Sequence, residues 1–367
     1  MITVQTQITY ADLLKKIQSH KNRVFFVSAK SYNRSNIETK LSIYANDIIV
    51  TRFSQFDENP TFEEVMQGVK LFKQAKTQLI IALGGGTAID LAKLIKYYAY
   101  NELDGTEIVP PKPITNNTDI ELVAIPTTFG TGSESTHFAV LYINANKFSI
   151  AASDILPNSY ILDSSYALTL PLQTKGCACL DALCQAIESY WSISRTTQSC
   201  IYAKDAIRKI IKYYEIYISS PTTESIVAIA DAANLAGRAI NITKTTAPHA
   251  LSYTLTSKFN VAHGHAVALC IRNMFEINTK KIKVVKHILD QDIMNELYKI
   301  LNVKNGQEAK ALINYFMQLS NLATKFIDVG LYKSEDIALV VNNVNLERLE
   351  NHPVPLQEID LKKLLVD

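Results

Sequence analysis

The stretch Leu83-Gly84-Gly85-Gly86-Thr87-Ala88-Ile89-Asp90-Leu91-Ala92-Lys93 decides how the first half of this 367-residue chain folds. The apolar run over residues 79–83 is typical of a strand buried on both faces, and the pattern over residues 88–100 predicts an amphipathic helix. Glycines let the turn between them approach a ligand closely, and free N–H groups at a helix start attract anions. We therefore expect a phosphate-binding turn formed by Gly84, Gly85, Gly86 and Thr87, with Asp90 beside it. A tight turn without a ligand is the alternative, since the G-x-G-x-x-G fingerprint is absent.

The segments around this turn alternate in the same way. Residues 23–28, 47–50 and 122–125 are predicted strands, and residues 62–76 form a predicted helix between two of them. Such alternation predicts a doubly wound parallel sheet. After about residue 165 strand signals disappear, and helical patterns follow over residues 174–192, 197–219 and 223–240. We therefore expect an α/β domain over residues 1–166 and an all-helical domain over residues 167–367.

Composition limits the classes of partner. The chain has 37 Lys and Arg against 35 Asp and Glu, and this balance gives no electrostatic reason to expect a nucleic acid or a membrane surface as partner. No apolar run reaches the roughly 18 residues of a transmembrane helix, and the N-terminus lacks the pattern of a signal peptide. Five scattered cysteines do not suggest a disulfide framework. The cytoplasm is the expected compartment.

A second loop follows the predicted strand at residues 122–125. It reads Pro126-Thr127-Thr128-Phe129-Gly130-Thr131-Gly132-Ser133-Glu134 and concentrates hydroxyl groups and glycines. Loops at the carboxyl ends of parallel strands meet at the ligand crevice of such sheets. Alone, this segment is a Ser/Thr-rich turn; together with the glycine turn it suggests two walls of one nucleotide site.

Polar residues within the predicted helical domain form a third pattern. Asp181, Gln185 and Glu188 fall at i, i+4 and i+7 of an apolar segment, so they share one helical face. His249 and His263 follow later in the chain. Two imidazoles and a carboxylate around one pocket can hold a divalent metal and leave a coordination position open for substrate. Spacing alone equally allows a set of unrelated buried polar residues.

Taken together, the glycine turn, the second loop, Ile161-Leu162-Asp163, Asp181-Ala182-Leu183 and His263-Gly264 resemble the iron-containing (group III) alcohol dehydrogenases in type, order and spacing. The resemblance implies a Rossmann-like domain followed by a helical one, in the two-domain architecture shared with dehydroquinate synthase. It also implies an NADH or NADPH cofactor, one divalent metal such as Fe²⁺ or Zn²⁺, and a homodimer. The cofactor-binding positions that it implies are Gly84, Gly85, Gly86, Thr87, Asp90, Thr127, Thr128, Thr131, Ser133, Phe138 and Lys147.

The chain departs from the family pattern at three places. The family holds its metal with an Asp and three His, which here correspond to Asp181, Gln185, His249 and His263, so a neutral amide replaces the first imidazole. Tyr253 stands where the family commonly has a His near the reacting carbon, and with His263 it is the expected catalytic residue. Lys30 follows the first strand where NAD-preferring members often carry an acidic residue, which predicts acceptance of NADPH.

The segments around Asp181 and His249 resemble the branch of this family that reduces phosphonoacetaldehyde to 2-hydroxyethylphosphonate. Lys244 and Lys258 each lie five residues before a proposed metal ligand, and we expect them to bind the anionic group of the substrate. Solvated surface lysines are the plainer interpretation. One alternative is an alcohol dehydrogenase or aldehyde reductase that acts on an uncharged short-chain alcohol or diol. Another is a lyase of the dehydroquinate synthase type. A catalytically inactive binding protein is the weakest alternative, because three strong metal ligands remain.

Overall fold

The computed structural model describes residues 5–58, 60–100, 119–143, 146–282 and 291–366. The chain forms two compact units. Unit 1 comprises Met1–Thr128 and Ser133–Tyr166, and unit 2 comprises Phe129–Gly132 and Ala167–Asp367. The four residues Phe129–Gly132 therefore belong to unit 2, although the residues on both sides of them in the sequence belong to unit 1.

Unit 1 is built on a parallel sheet. Its strands are β1 (Thr6–Gln7), β2 (Arg23–Val27), β3 (Ile49–Phe53), β4 (Leu79–Gly84), β5 (Glu121–Pro126), β6 (Phe138–Ile143), β7 (Asn146–Ala151) and β8 (Ser159–Tyr160). Six of them form the sheet, in the order β1-β8-β5-β4-β2-β3, and β6 pairs with β7 in an antiparallel hairpin. The strand pair β4–β5 is in register from Leu79 opposite Glu121 to Gly84 opposite Pro126. The loops after these two strands therefore start side by side at one sheet edge.

Within the described part of unit 1 five α-helices accompany these strands: α1 (Tyr10–Ser19), α2 (Lys30–Arg34), α3 (Ile37–Lys40), α4 (Phe62–Ala75) and α5 (Gly86–Tyr100). Thr61 and Glu64 form a capping box that starts α4. All six residues of β4 are buried, as a strand covered on both faces requires. The core of unit 1 packs side chains of these strands, such as Phe25, Ile80 and Leu122, against Ile95 of α5.

Within its described residues unit 2 consists of helices and the loops between them, without a strand. Its helices are α6 (Leu172–Trp191), α7 (Thr197–Ser219), α8 (Thr223–Thr243), α9 (Ala247–Phe259), α10 (His263–Ile282), α11 (Gln291–Ile300), α12 (Gly306–Leu319), α13 (Ser334–Asn342), α14 (Leu346–Glu350) and α15 (Glu358–Leu364). Capping boxes at Thr196 and Thr222 start α7 and α8. From Cys179 to Trp191 every residue of α6 is buried, so the polar side chains of this segment point into protein on all sides.

The predicted parallel sheet followed by a helical region is confirmed, with local differences. The predicted strand at residues 47–50 is displaced to Ile49–Phe53, α6 begins two residues before the predicted residue 174, and α8 continues to Thr243. The hairpin of β6 and β7 was not predicted. None of the helices within the described residues combines the length and apolarity needed to cross a membrane.

Candidate metal and cofactor sites

Three helices of unit 2 bring a carboxylate and two imidazoles together. Asp181 lies in the middle of α6, His249 is the third residue of α9, and His263 is the first residue of α10. One ligand atom of each lies within 4.8 Å of the others. His249 Nε2 is 3.3 Å and His263 Nε2 is 3.9 Å from Asp181 Oδ1. The structure thus assembles three of the four residues expected to hold the metal.

The hydrogen bonding of these atoms fits a metal. Asp181 Oδ1 and His249 Nε2 are buried and have no hydrogen-bond partner within the described part of the chain. An unsatisfied buried polar atom is costly. Two ligand atoms about 2.1 Å from one metal, at angles between octahedral and tetrahedral, lie roughly 3.0–3.4 Å apart. The 3.3 Å between His249 Nε2 and Asp181 Oδ1 matches that range, and the 3.9 Å from His263 Nε2 to Asp181 Oδ1 is wider. The donor set of one carboxylate and two imidazoles, with two buried atoms that lack a partner among the described residues, fits a divalent cation.

Burial differs around this triad. The side chains of Asp181 and His249 are 4% and 5% exposed, whereas that of His263 is 33% exposed. Burial alone would raise the pKa of the Asp181 carboxyl, but His263, His249 and Gln185 hold it below its ordinary value. Burial alone would lower the pKa of His249, but the carboxylates of Glu188 and Asp181 raise it to about 9. His263 is therefore the member of the triad whose side chain solvent reaches most.

Gln185 lies one helical turn after Asp181 on α6. Its amide Nε2 donates to the carbonyl oxygen of Thr131 at 3.3 Å, and its buried Oε1 has no hydrogen-bond partner within the described residues. Thr131 belongs to the segment Phe129–Gly132, which packs on the same helical unit: a Cβ on Gly132 would lie 2.4 Å from the Cα of Gly237. Gln185 therefore lies beside the triad and also holds the second loop.

Gly264 explains how His263 reaches the triad. A Cβ at this position would lie 1.9 Å from the carbonyl oxygen of Cys177 and 3.0 Å from the Cβ of Asp181. Only a residue without a side chain lets the start of α10 pack this closely on α6. The ring of Tyr253 stacks on that of His263, with centroids 6.2 Å apart. Burial raises the pKa of the Tyr253 phenol, although Arg348, which hydrogen-bonds it, acts in the opposite direction.

The turn before α9 is strained. Lys244 has φ 60° and ψ −177°, a backbone region occupied almost only by glycine. Thr243 Oγ1 donates to its carbonyl oxygen at 2.8 Å, and Asn351 Nδ2 donates to the carbonyl oxygens of Thr243 and Thr245. These bonds fix the turn that leads the chain into the helix carrying His249.

The two lysines predicted to bind the substrate anion have other surroundings. The ammonium group of Lys244 is paired with the carboxylate of Glu347. Lys258 is exposed and follows His249 by nine residues on α9, which places it on the opposite face of that helix, about 13 Å further along the axis. The ion pair of Lys244 and the position of Lys258 give no support to either as a substrate ligand, and that role stays a prediction.

In unit 1 the glycine turn joins β4 to the start of α5. Gly85, Gly86 and Thr87 are partly exposed between buried neighbours. Thr127 N donates to the carbonyl oxygen of Gly84 at 3.0 Å, so the two loops run together from the sheet edge. A Cβ on Gly85 would lie 3.3 Å from the Thr128 side chain and would fill the space between the loops. The amide groups that start α5 have no helical partner and suit an anion, so the turn fits a dinucleotide diphosphate.

Two residues predicted to bind the cofactor make internal hydrogen bonds. Asp90 accepts from Val140 N at 3.0 Å and from Ser133 Oγ. The ammonium group of Lys93 is fully buried and donates to Ser133 Oγ, Thr136 Oγ1 and the carbonyl oxygen of Phe138 at 2.9–3.0 Å. Burial lowers the pKa of Lys93 to about 8. This network fixes the segment after the second loop to α5.

The remaining predicted cofactor residues have simpler positions. Phe138 is partly exposed at the first position of β6 and contacts the ring of His137 edge-on. Lys30 is exposed at the start of α2, directly after β2. The side chain of Lys147 lies outside the described residues.

The sequence motifs give no role to Glu188, Lys93 or Arg348. The spacing had placed Glu188 on the face of Asp181, but its partner His249 is 61 residues away in the chain. A lysine at i+3 from Asp90 gave no sign that its ammonium group would be buried.

Two family profiles together match nearly the whole chain. The profile described as "Iron-containing alcohol dehydrogenase" matches residues 3–164, and that of the "Fe-containing alcohol dehydrogenase family, C-terminal" matches residues 177–367. The chain belongs to the iron-containing alcohol dehydrogenase family. Members of this family are oxidoreductases of alcohols and aldehydes that use NAD(P) and a divalent metal.

Individual proteins of known activity match this chain at about 30% sequence identity and over part of its length. A phosphonoacetaldehyde reductase of Streptomyces viridochromogenes is 29% identical over 231 residues, which cover 60% of this chain and 58% of the relative. A choline dehydrogenase of Bacillus subtilis is 32% identical over 239 residues, covering 64% and 59%. Both matches span less than two thirds of the relative. The crystal structure of a sulfoacetaldehyde reductase from Bifidobacterium kashiwanohense in complex with NAD⁺ superposes with a TM-score of 0.86 at 24% identity, covering 100% of this chain and 96% of that one. This likeness concerns the fold.

Proposed function

We propose that this chain catalyses the NAD(P)H-dependent, metal-assisted reduction of a small aldehyde to an alcohol. The observation that carries the proposal is the triad of Asp181, His249 and His263. Within the described residues Asp181 Oδ1 and His249 Nε2 are buried without a hydrogen-bond partner, and the side chain of His263 is 33% exposed. When bound, a divalent cation would polarise a carbonyl oxygen and the nicotinamide would supply a hydride. In our proposal Gln185 Oε1 is the weaker fourth ligand.

Tyr253 is the proposed proton donor. Its phenol stacks on His263, and burial keeps its pKa above the ordinary value, so the group stays protonated at neutral pH. A neutral phenol can donate a hydrogen bond to an oxygen on which negative charge develops.

The proposed cofactor contacts are the backbone amides of Gly85, Gly86 and Thr87, with Thr128 at the edge of the same space. Lys30, exposed after β2, is the proposed partner of a 2′-phosphate. Asp90 and Ser133 act by fixing the loops, since both are engaged within the protein. A kcat/KM with NADPH equal to or above that with NADH supports this assignment, whereas absolute dependence on NADH contradicts it.

For the substrate we propose an anionic aldehyde, with phosphonoacetaldehyde as the first candidate. The relatives named above act on substrates of opposite charge, phosphonoacetaldehyde and choline. Arg348, a buried residue of α14, hydrogen-bonds Tyr253, and the ring of Tyr253 in turn stacks on that of His263. A positive charge there favours an anion over a cation.

The test is a screen that follows NAD(P)H absorbance with phosphonoacetaldehyde, propanal, betaine aldehyde and short diols, after demetallation and after addition of each divalent metal. Activity restored by metal supports the proposal, and full activity of the demetallated protein refutes the metal-assisted reaction. Reaction without net consumption of NAD(P)H would instead indicate a lyase of the dehydroquinate synthase type. A preference for propanal over phosphonoacetaldehyde would refute only the anionic substrate.

Arg348→Met tests the charge. We expect a rise in KM for phosphonoacetaldehyde of about tenfold or more, the value of one charge-assisted hydrogen bond, with the KM for propanal within about twofold. Arg272→Met is the matched control, because Arg272 is also buried in unit 2 and lies nine residues after His263, on the opposite face of α10. Equal changes in both variants would remove Arg348 from substrate recognition.

A further inference from the structure

Glu188 is a carboxylate with no contact to solvent, and all its described hydrogen bonds come from the start of one helix. Its side chain is 0% exposed. Oε1 accepts from Thr246 N and Thr246 Oγ1 at 2.9 Å and from His249 N at 3.4 Å. Oε2 is bonded to Nδ1 of His249. Burial of a carboxylate requires such compensation, and the positive end of α9 adds to it.

These contacts determine which nitrogen of His249 is available. Because Nδ1 is held by Glu188, Nε2 is the ring nitrogen left to bind a metal. Among the described residues Nε2 also has no hydrogen-bond partner, and it lies 3.3 Å from Asp181 Oδ1. A carboxylate on the far nitrogen of a metal-binding imidazole fixes the ring and its tautomer and increases the basicity of the ligand.

We propose that Glu188 is a positioning residue that caps α9 from the neighbouring helix α6 and holds His249 with Nε2 directed at the metal. This inference rests on the proposed metal centre. The N-cap residue Thr246 makes no capping hydrogen bond with its own side chain, so the Glu188 carboxylate accepts the hydrogen bonds at the start of α9 instead. One carboxylate therefore both stabilises the N-terminus of α9 and orients the metal ligand His249.

A glutamine of the same shape cannot replace this carboxylate. If the glutamine oxygen faces Thr246, the glutamine amide nitrogen faces Nδ1 of His249 and donates a hydrogen bond to it. Nδ1 must then be unprotonated, and the proton of the neutral ring lies on Nε2. In that tautomer Nε2 has no lone pair for a metal. With its oxygen on the His249 side, the amide nitrogen faces the two donors of Thr246. Either orientation loses one of the two functions.

Glu188→Gln is therefore the test, with Ser189→Ala as matched control. Ser189 is the next residue of α6 and equally buried, and its described side-chain hydrogen bond is with Thr243 Oγ1, at 3.0 Å, and not with a member of the triad. Competition with a chelator measures the Zn²⁺ affinity of the wild type and both variants. We expect Glu188→Gln to bind Zn²⁺ about 10- to 100-fold more weakly and Ser189→Ala to stay within about twofold. We also expect the visible absorption of the Co²⁺-loaded protein to change only in Glu188→Gln.

The outcomes separate the two proposals. A wild type that binds neither Zn²⁺ nor Co²⁺ overturns the metal centre itself. A wild type that binds both, with Glu188→Gln of unchanged affinity and spectrum, overturns only the role of Glu188. If Glu188→Gln does not fold, ¹⁵N spectra of the Zn²⁺-loaded, histidine-labelled wild type decide: a protonated Nδ1 and metal-bound Nε2 of His249 support the inference, and the reverse assignment overturns it.

Discussion

Replacement of Lys244 by glycine tests the strain in the turn before α9. The backbone at Lys244 has φ 60° and ψ −177°. A residue with a Cβ in this region costs about 1–3 kcal/mol, which glycine does not incur. Glycine in turn loses about 0.5–1 kcal/mol through the greater freedom of its unfolded chain. The substitution also removes the ion pair with Glu347, whose two side chains are 43% and 56% exposed, a contribution of about 0–1 kcal/mol.

Lys244→Ala is the reference, because it removes the same ion pair and keeps the strain. The expected difference is the strain that glycine relieves less the stability that glycine loses through its unfolded chain. Lys244→Gly should therefore be more stable than Lys244→Ala by about 1 kcal/mol, and by no more than roughly 2.5 kcal/mol. The assay is urea denaturation followed by the fluorescence of Trp191, which is the single tryptophan, is fully buried and donates to Thr246 Oγ1 at 3.0 Å.

A glycine variant that is no more stable than the alanine variant would show that the backbone at Lys244 carries no strain that glycine can relieve. The same pair also tests the earlier expectation that Lys244 binds the substrate. Because its charge is already paired with Glu347, we expect both variants to keep the wild-type KM for an anionic aldehyde within about twofold. A large and selective rise in that KM would restore Lys244 as a substrate ligand.

Three further predictions concern the triad and the cofactor loops. Gly264→Ala should abolish high-affinity Zn²⁺ binding, because its Cβ would lie 1.9 Å from the carbonyl oxygen of Cys177; Zn²⁺ titration at wild-type affinity would contradict this. Gln185→His should tighten Zn²⁺ binding by roughly tenfold, about 1.4 kcal/mol, since imidazole is a stronger ligand than an amide oxygen; unchanged affinity in chelator competition would place Gln185 outside the ligand set. Lys93 is buried and its pKa is lowered from 10.5 to about 8, so the unfolded chain binds this proton more tightly. Its contribution to the free energy of unfolding should therefore rise between pH 8 and 10.5, by roughly 3 kcal/mol at most, and a wild type whose pH dependence matches that of Lys93→Met would contradict the assignment.

The parts of the fold that could be predicted from the sequence are those with local causes. A buried strand, three glycines and a helix pattern follow one another over residues 79–100, and the structure has β4 and α5 there. The helix predicted over residues 197–219 has these bounds in the structure, where Thr196 forms a capping box at its start. The shared face of Asp181 and Gln185 on α6 could also be predicted, because residues four apart in a helix lie on the same side.

The parts that could not be predicted depend on contacts distant in the sequence. Equal spacing of Lys244 and Lys258 before the two histidines suggested equal roles, but the partner of Lys244 is Glu347, 103 residues later. The position of Lys258 could have been excluded once α9 was known to continue through it, because nine residues along a helix reverse the face. The bond between Glu188 and His249 joins two helices, and no local pattern encodes it.

The segment Phe129–Gly132 has a consequence for any attempt to divide this protein. The chain passes from unit 1 to unit 2 after Thr128, returns after Gly132 and crosses again after Tyr166, so the units are linked by three peptide bonds rather than one. A fragment that starts at Ala167 lacks Gly132, which packs against Gly237, and Thr131, whose carbonyl oxygen accepts a hydrogen bond from Gln185 Nε2. A chimera that joins unit 1 of this chain to the helical unit of a relative therefore needs more than one junction. Residues 129–132 within unit 1 must also be replaced by the corresponding residues of that relative.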